Sequence, residues 1–303
     1  MAKIIVTHMA PDLDAVTSVW LLKKYLPSWR DAKVQFVPAG QKLGGLDANE
    51  DTVIEKYSGD EVIHVDTGMG ALDHHQFQDE TKCAASIVYD YVRSQPDTLL
   101  RDELEIKAVN HIIDLVIDED HFQQVFHNDS ASYLREFTLV GILDGMKLQE
   151  GISDTQILQK GMESLDALIL SFQSRVQAED ELKDGKVFST KWGDAIALET
   201  VNDTVMKLAQ IKGYSVAVRL DPASHLLRIK AWPRMRKDKQ YENVQEKDID
   251  LTPVYTIVKE RDPYASWFLH ASKRMLLNGS AKNPQSIPTK LEMDDIIDIL
   301  KSL

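Results

Sequence analysis

Residues 7–18 read Thr-His-Met-Ala-Pro-Asp-Leu-Asp-Ala-Val-Thr-Ser, directly behind the apolar run Lys3-Ile4-Ile5-Val6. One imidazole, His8, and two carboxylates, Asp12 and Asp14, therefore stand at the mouth of a buried strand, the edge where open α/β sheets bind ligands. An Asp-x-Asp pair confines two negative charges to a small space, and a divalent cation or a proton relieves the repulsion. The same carboxylates could instead cap the following helix, where acidic groups meet the positive end of the dipole. This loop alone leaves both readings open.

A second strand end adds more ligand-type side chains. Residues 64–77 read HVDTGMGALDHHQF, with Asp66 at the same carboxyl edge as His8 and Asp73-His74-His75 following closely. Gly68 and Gly70 allow the chain to fold tightly back toward the first loop. Several carboxylates with one or two imidazoles suit Mn²⁺ or Mg²⁺, and the histidines tilt the choice to Mn²⁺. The absence of cysteine ligands argues against structural zinc.

The opening H-x₃-D-x-D, the later Asp66-Thr67-Gly68 and the Asp73-His74-His75 triplet together resemble the DHH phosphoesterase superfamily. The short gap from Asp66 to LDHHQF and the late WFLHAS at 267–272 are similar to its melanocyte-proliferating-gene branch, described as metal-dependent exonucleases. That branch usually opens Thr-His-x₃-Phe-His-x-Asp and carries a Gly-rich stretch after His-Ala-Ser; here stand Pro11-Asp12-Leu13-Asp14 and Lys273-Arg274-Met275. The resemblance implies that His8, Asp12, Asp14, Asp66 and His74 are ligands of two Mn²⁺ ions, with Mg²⁺ or Co²⁺ as alternatives, and that Asp66 bridges them. It also implies that His75 faces the scissile phosphate and that a further helical aspartate completes the set. Asp118, closing HIIDLVID, is the first choice, with Asp114 and Asp144 as alternatives. Two such ions would activate a water and brace the attacking and leaving oxygens, so no protein nucleophile is needed. The lone Cys83 lies outside the constellation and reads as a small apolar residue.

These groups need a scaffold. Short β-branched runs at 3–7, 33–38 and 61–66, separated by helical patterns of which 11–26 is the clearest, predict a parallel sheet with crossovers. Residues 83–182 read as almost entirely helical, including 104–118 and 153–180. The polar stretch 177–186 marks a boundary. The expected organisation is a DHH-type metal-binding domain over 1–180, α/β with a parallel sheet and flanking helices, and a smaller α+β domain over 187–303. In the latter, YSVAVRL and HLLRIKAW flank a hairpin turn at Asp221–Ser224, Ala265–Leu277 predicts a helix, and Thr289 with Glu292 predicts a capping box before LEMDDIIDIL.

Substrate contacts are expected from this second domain. Residues 228–239 (RIKAWPRMRKDK) hold six basic residues and one acid, with Trp232 among them. Arg234 and Arg236 read either as phosphate contacts beside a base-stacking tryptophan or as a charged, protected sheet edge. His270, Lys273 and Arg274 form a second phosphate-facing cluster, because the resembled family binds substrate between its two domains.

Composition narrows the partners. At 303 residues, with 43% apolar and 27% charged residues, the chain has room for about two domains. A net charge of −13 disfavours long duplex nucleic acid, which demands many basic contacts, yet is compatible with a short nucleotide or oligonucleotide. No apolar run reaches the roughly 18 residues of a membrane helix. The single cysteine and an N-terminus that opens straight into a strand agree with a cytoplasmic protein. Homodimerisation is left open. The expected activity is hydrolysis of a phosphodiester or phosphoanhydride bond; an inorganic pyrophosphatase, or a metal-binding regulatory protein without turnover, are the alternatives.

Overall fold

Six residues, Lys3–His8, form strand β1, and its interior residues Ile4 to Thr7 are all buried. A strand covered on both faces belongs in the middle of a parallel sheet, and β1 is hydrogen-bonded in parallel to β2 (Lys33–Val37) and to β4 (Asp60–His64). This computed structural model describes residues 1–46, 52–128, 130–235, 247–280 and 282–303. The chain divides into two compact units, Met1–Gln173 and Ser174–Leu303.

In the first unit the sheet order is β2-β1-β4-β3, with β3 (Glu55–Tyr57) an antiparallel edge strand. The chain leaves β1 to one side and returns on the other, so a crevice opens at the carboxyl end of β1. The crossover helix α1 (Leu13–Tyr25) buries ten of its thirteen residues. It packs against α2 (Ala84–Ser94) and α3 (Glu103–Asp120), and Val16, Trp20, Leu21 and Leu22 join their apolar faces in one core. Helices α4 (Leu139–Lys147) and α5 (Asp154–Glu181) follow, and the boundary between the units falls within α5.

Two expectations change here. The described residues between β2 and β4 hold a 3₁₀ turn at Leu43–Gly45 and β3 rather than an α-helix, because Pro38 and four glycines interrupt any helical run. The helical stretch expected over 83–182 is broken between α3 and α4, where a 3₁₀ turn at Gln123–Phe126 leaves Phe122, Phe126, Tyr133 and Phe137 exposed.

The second unit carries a six-stranded sheet, β5-β6-β7-β8-β10-β9. Its strands are Lys186–Thr190, Gly193–Glu199, Val216–Leu220, Leu227–Ala231, Trp267–Leu269 (β9) and Met275–Asn278 (β10). Among the described residues of this sheet only β6 and β7 pair in parallel, joined by helix α6 (Thr204–Ile211). Helices α7 (Thr252–Arg261) and α8 (Met293–Lys301) cover the apolar face. The α/β unit followed by a smaller α+β unit is the expected fold class. The expected β7–β8 hairpin forms around Asp221, whose Oδ1 accepts the Ala223 and Ser224 N–H groups.

The helix expected over Ala265–Leu277 is instead the β9–β10 hairpin. Trp267 is buried while Phe268 is exposed, an alternation of period two, and Lys273 turns the chain with a positive φ of 59°. The cap of α8 also differs. The Glu292 N–H donates to Asp295, and Thr289 is taken by buried Asp262, whose Oδ2 accepts both the Thr289 hydroxyl (2.9 Å) and the Lys290 N–H (2.8 Å). Removing this carboxylate strands two donors. Asp262→Ala should therefore lower the unfolding free energy by about 1–3 kcal/mol, read as a fall in the urea midpoint of the full chain; an unchanged midpoint would contradict the assigned role.

Candidate metal centre

His8 is the last residue of β1. Its Nδ1–H donates to the Met9 carbonyl at 2.9 Å, which turns Nε2 toward Asp66 Oδ2 (3.1 Å) and Asp12 Oδ2 (3.7 Å). Asp12 serves two purposes: its Oδ1 caps α1 by accepting the Ala15 N–H at 3.0 Å, while Oδ2 faces His8. The capping and ligand readings of this loop thus coexist. Asp14 does not cap its own helix. Buried inside α1, it accepts the Ala84 N–H (2.7 Å) and Ala85 N–H (2.6 Å) at the start of α2, and its Oδ2 lies 3.7 Å from His74 Nε2.

The loop after β4 is folded under strain. Asp66 adopts φ 53°, a left-handed conformation that costs a non-glycine residue about 1–3 kcal/mol and that recurs at functional sites. Its N–H is tied to Leu72 O. At Gly68 (φ 79°) an added Cβ would stand 2.5 Å from Lys42 Cγ, so only glycine lets the loop press onto that stem. Lys42 in turn pairs with Glu55, which also holds His64, a buried network packed against the loop. Asp73, buried, gathers the Met69, His74 and His75 N–H groups and His75 Nδ1 (2.7 Å). It ties both histidines to the loop, and its carboxylate also groups with Asp66, His74 and His75. His75 is exposed, with Nε2 as its remaining ring nitrogen.

These pieces converge in two adjoining groups. His74 Nε2 is buried and has no hydrogen-bond partner among the described residues, yet three carboxylate oxygens surround it: Asp14 Oδ2 at 3.7 Å, Asp66 Oδ1 at 3.6 Å and Asp120 Oδ2 at 3.6 Å. His8, Asp12 and Asp66 form the other group. Asp66 belongs to both, with Oδ2 toward His8 and Oδ1 toward His74. Donor atoms about 2.1 Å from one small divalent ion stand roughly 3 Å apart when adjacent and roughly 4 Å when opposite. Each His74–carboxylate separation falls in that range. The described groups whose donors all lie within 4.8 Å of one another, and which could hold metal ions, are His8 with Asp12 and Asp66, His74 with Asp120 and His121, and Asp66 with Asp73, His74 and His75.

Charge crowding points the same way. Burial, then the Asp66 and Asp120 charges, push the Asp14 carboxyl well above the usual carboxylate range. Burial and Asp66 raise Asp120 despite the opposing pull of His74. Burial disfavours a charged His8, but Asp12 and Asp66 outweigh it and push its pKa up to about 11. His74 is raised likewise by Asp66, Asp120 and Asp14 against its burial. The shifts share one cause, carboxylates crowded together, and a divalent cation would relieve it.

Asp120 is not among the residues that sequence pattern alone singles out. The buried stripe of α3 runs Val109, Ile112, Ile113, Val116, and one further turn, i+4, reaches Asp120. Asp118 lies off that stripe, 3.8 Å from His127 Nε2 and half-exposed; Asp114 is exposed, and Asp144 pairs with Lys147. Asp120 also ends a run of three acids at a helix C-terminus, where anions are least favoured unless a cation is near. His121 Nε2, 3.7 Å from Asp120, is engaged by the Lys82 carbonyl at 2.7 Å.

In the second unit Arg234 is exposed, and Arg236 lies outside the described residues. His270 is exposed with Nδ1 on Ser272 Oγ, and Lys273 pairs with Asp250. Arg274 is buried and donates to the Trp232 and Lys247 carbonyls, holding its own chain together. The Trp232 ring has Lys247 Nζ 5.0 Å from its centroid, a cation already in place.

No protein-family model matches the chain, and no curated protein matches its sequence. Among solved structures, it aligns with an uncharacterized protein from Helicobacter pylori G27 at 11% identity, over 100% of this chain and 98% of that one, with a TM-score of 0.24. It also aligns with a Methanococcus jannaschii protein provisionally named a family II inorganic pyrophosphatase, at 12% identity over 98% and 99% of the two chains, with a TM-score of 0.21. Likeness at this level carries no weight for fold or chemistry, and the site stands on its own geometry.

That geometry separates two neighbouring aspartates. Asp120→Asn should weaken Mn²⁺ binding about tenfold or more, whereas Asp118→Asn should leave it within about twofold, measured by calorimetric titration. The reverse order would move the fourth carboxylate to Asp118.

Proposed function

We infer that the first unit is a metal-dependent phosphoesterase that hydrolyses a phosphodiester or phosphoanhydride bond in a short nucleotide-type substrate. The observation that carries this reading is the buried Nε2 of His74, unpartnered among the described residues and facing three carboxylates, one of which, Asp66, also faces His8. An apolar core does not retain such a cluster for stability, since unrelieved buried charge costs several kcal/mol.

His8, Asp12 and Asp66 would hold one ion, and Asp14, Asp66, His74 and Asp120 the other, with Mn²⁺ suited to this mixture of oxygen and imidazole donors. When bound, such ions would supply Lewis-acid charge for a phosphoryl group and an activated water. The chain's own residues do the rest. Asp73 fixes the His75 ring through Nδ1, so His75 can meet the phosphate or the leaving oxygen from the exposed side. Met9 fixes the His8 ring by the same device. Phe122 and Phe126, exposed directly after Asp120 and His121, offer faces for a base to stack on. Arg234, His270 and Lys273 are the exposed candidates for phosphate contacts in the second unit.

The test is a hydrolysis panel supplemented with Mn²⁺, Mg²⁺ or Co²⁺, spanning pyrophosphate, cyclic dinucleotides and short DNA and RNA oligomers. At least one substrate should turn over, and Asp66→Ala should reduce kcat/KM by about 10³-fold or more. Asp73→Ala should cut kcat more than it changes metal affinity, because it frees the His75 ring. Absence of turnover across the panel with intact metal binding would leave a metal-binding regulatory protein; turnover unaffected by Asp66→Ala would move the active site elsewhere.

A further inference from the structure

Far along the sequence from the metal ligands, the second unit contains a cavity of about 340 Å³. Arg219 of β7 and Arg228 of β8 line it, with Ser224 from their connecting turn and Gly279, Ser280 and Ser286 from the segment that follows β10. That volume lies at the lower end of small-molecule pockets, about 300–1,000 Å³.

The arginines are held in place before any ligand arrives. Arg219 is buried, and its Nη1 donates to the Thr200 and Val201 carbonyls, both at 3.0 Å. Its Nε faces Asp203 Oδ1 at 3.5 Å, an ion pair without hydrogen-bond geometry. Nearby charge is left in cationic excess. Arg228 at 2.6 Å, Arg219 at 3.5 Å and Lys230 at 3.9 Å share the half-exposed carboxylate of Asp203, which does not line the cavity. Asp221 does line it, but its Oδ1 is engaged by its own turn and its Oδ2 lies 3.7 Å from Arg219.

The cavity also depends on a missing side chain. Gly279 has φ 78°, and a Cβ there would stand 2.7 Å from Leu226 Cδ2 and 2.8 Å from Ser286 Cβ. Backbone and serine are thereby brought close together at one wall. Two guanidinium groups, hydroxyls and a close-packed glycine are the donor set for a tetrahedral oxyanion, and planar guanidinium matches phosphate oxygens in pairs.

We propose that this cavity binds the phosphoryl group of a small phosphorylated ligand, as a site separate from the metal cluster. Inorganic phosphate and a phosphate monoester share that chemistry, and the volume leaves room for an organic substituent. Calorimetric titration of the chelator-treated full chain with inorganic phosphate and with adenosine 5′-monophosphate tests it without reference to metal chemistry. Both should bind saturably at one site, equally well in Asp66→Ala. Arg228→Gln should weaken binding about tenfold or more, the loss of one charge-assisted pair, and Arg228→Lys should restore it in part. Tighter binding of the monophosphate than of phosphate assigns the remaining volume to the organic group; equal binding assigns the site to phosphate alone. Ser224→Ala keeps the question open to test should Arg228→Gln not fold, with weakened binding again expected. No saturable binding of either probe, or binding unmoved by the folded variants, overturns the site.

Discussion

Asp66 turns its two carboxylate oxygens toward different imidazoles, His8 on one side and His74 on the other. Holding it there requires a left-handed backbone at Asp66, a glycine at position 68 that admits the Lys42 stem, and the pairing of Lys42 with Glu55. The strain is local and the support is broad. A buried parallel strand on each side of the crevice supplies the rigid frame, since β1 and β4 are hydrogen-bonded in register up to Val6 and His64. Side chains mounted just beyond the ends of paired strands move little, and functional geometry tolerates errors of only about half an ångström.

Much of this frame is legible in the amino-acid sequence. A continuous apolar run behind His8 indicates a buried central strand, and period-two alternation indicates the β7–β8 hairpin, because both patterns reflect which faces are covered. His8 ends β1, Asp12 caps α1 and Asp14 stands in its first turn, while Asp66 and His74 lie in the loop after β4, so sequence spacing nearly determines position. Asp120 does not. Three consecutive carboxylates end α3, and only the buried stripe of that helix selects among them. Sequence pattern favours Asp118, the acid that closes HIIDLVID, and that residue lies off the stripe.

The second unit is harder to read because its polar groups have roles that composition cannot reveal. Arg274 and Trp232 look like ligand-binding residues in the sequence, but one is buried against carbonyls and the other carries Lys247 at its ring. The segment 265–277 has enough apolar residues for a helix, and its pairing partner, β8, lies more than thirty residues upstream. Long-range pairing overrides local pattern where the segment is short.

Asp14 has a property that bears on any ion the cluster receives. Both of its oxygens already accept N–H groups from α2, so their electron density is shared before a cation arrives. An oxygen polarised in this way is a poorer base and a weaker donor than a free carboxylate. Its contribution to the cluster is orientation and charge more than bond strength. Oxygens held in this way lose little freedom when a cation approaches. The start of α2, meanwhile, remains anchored whether or not an ion is present.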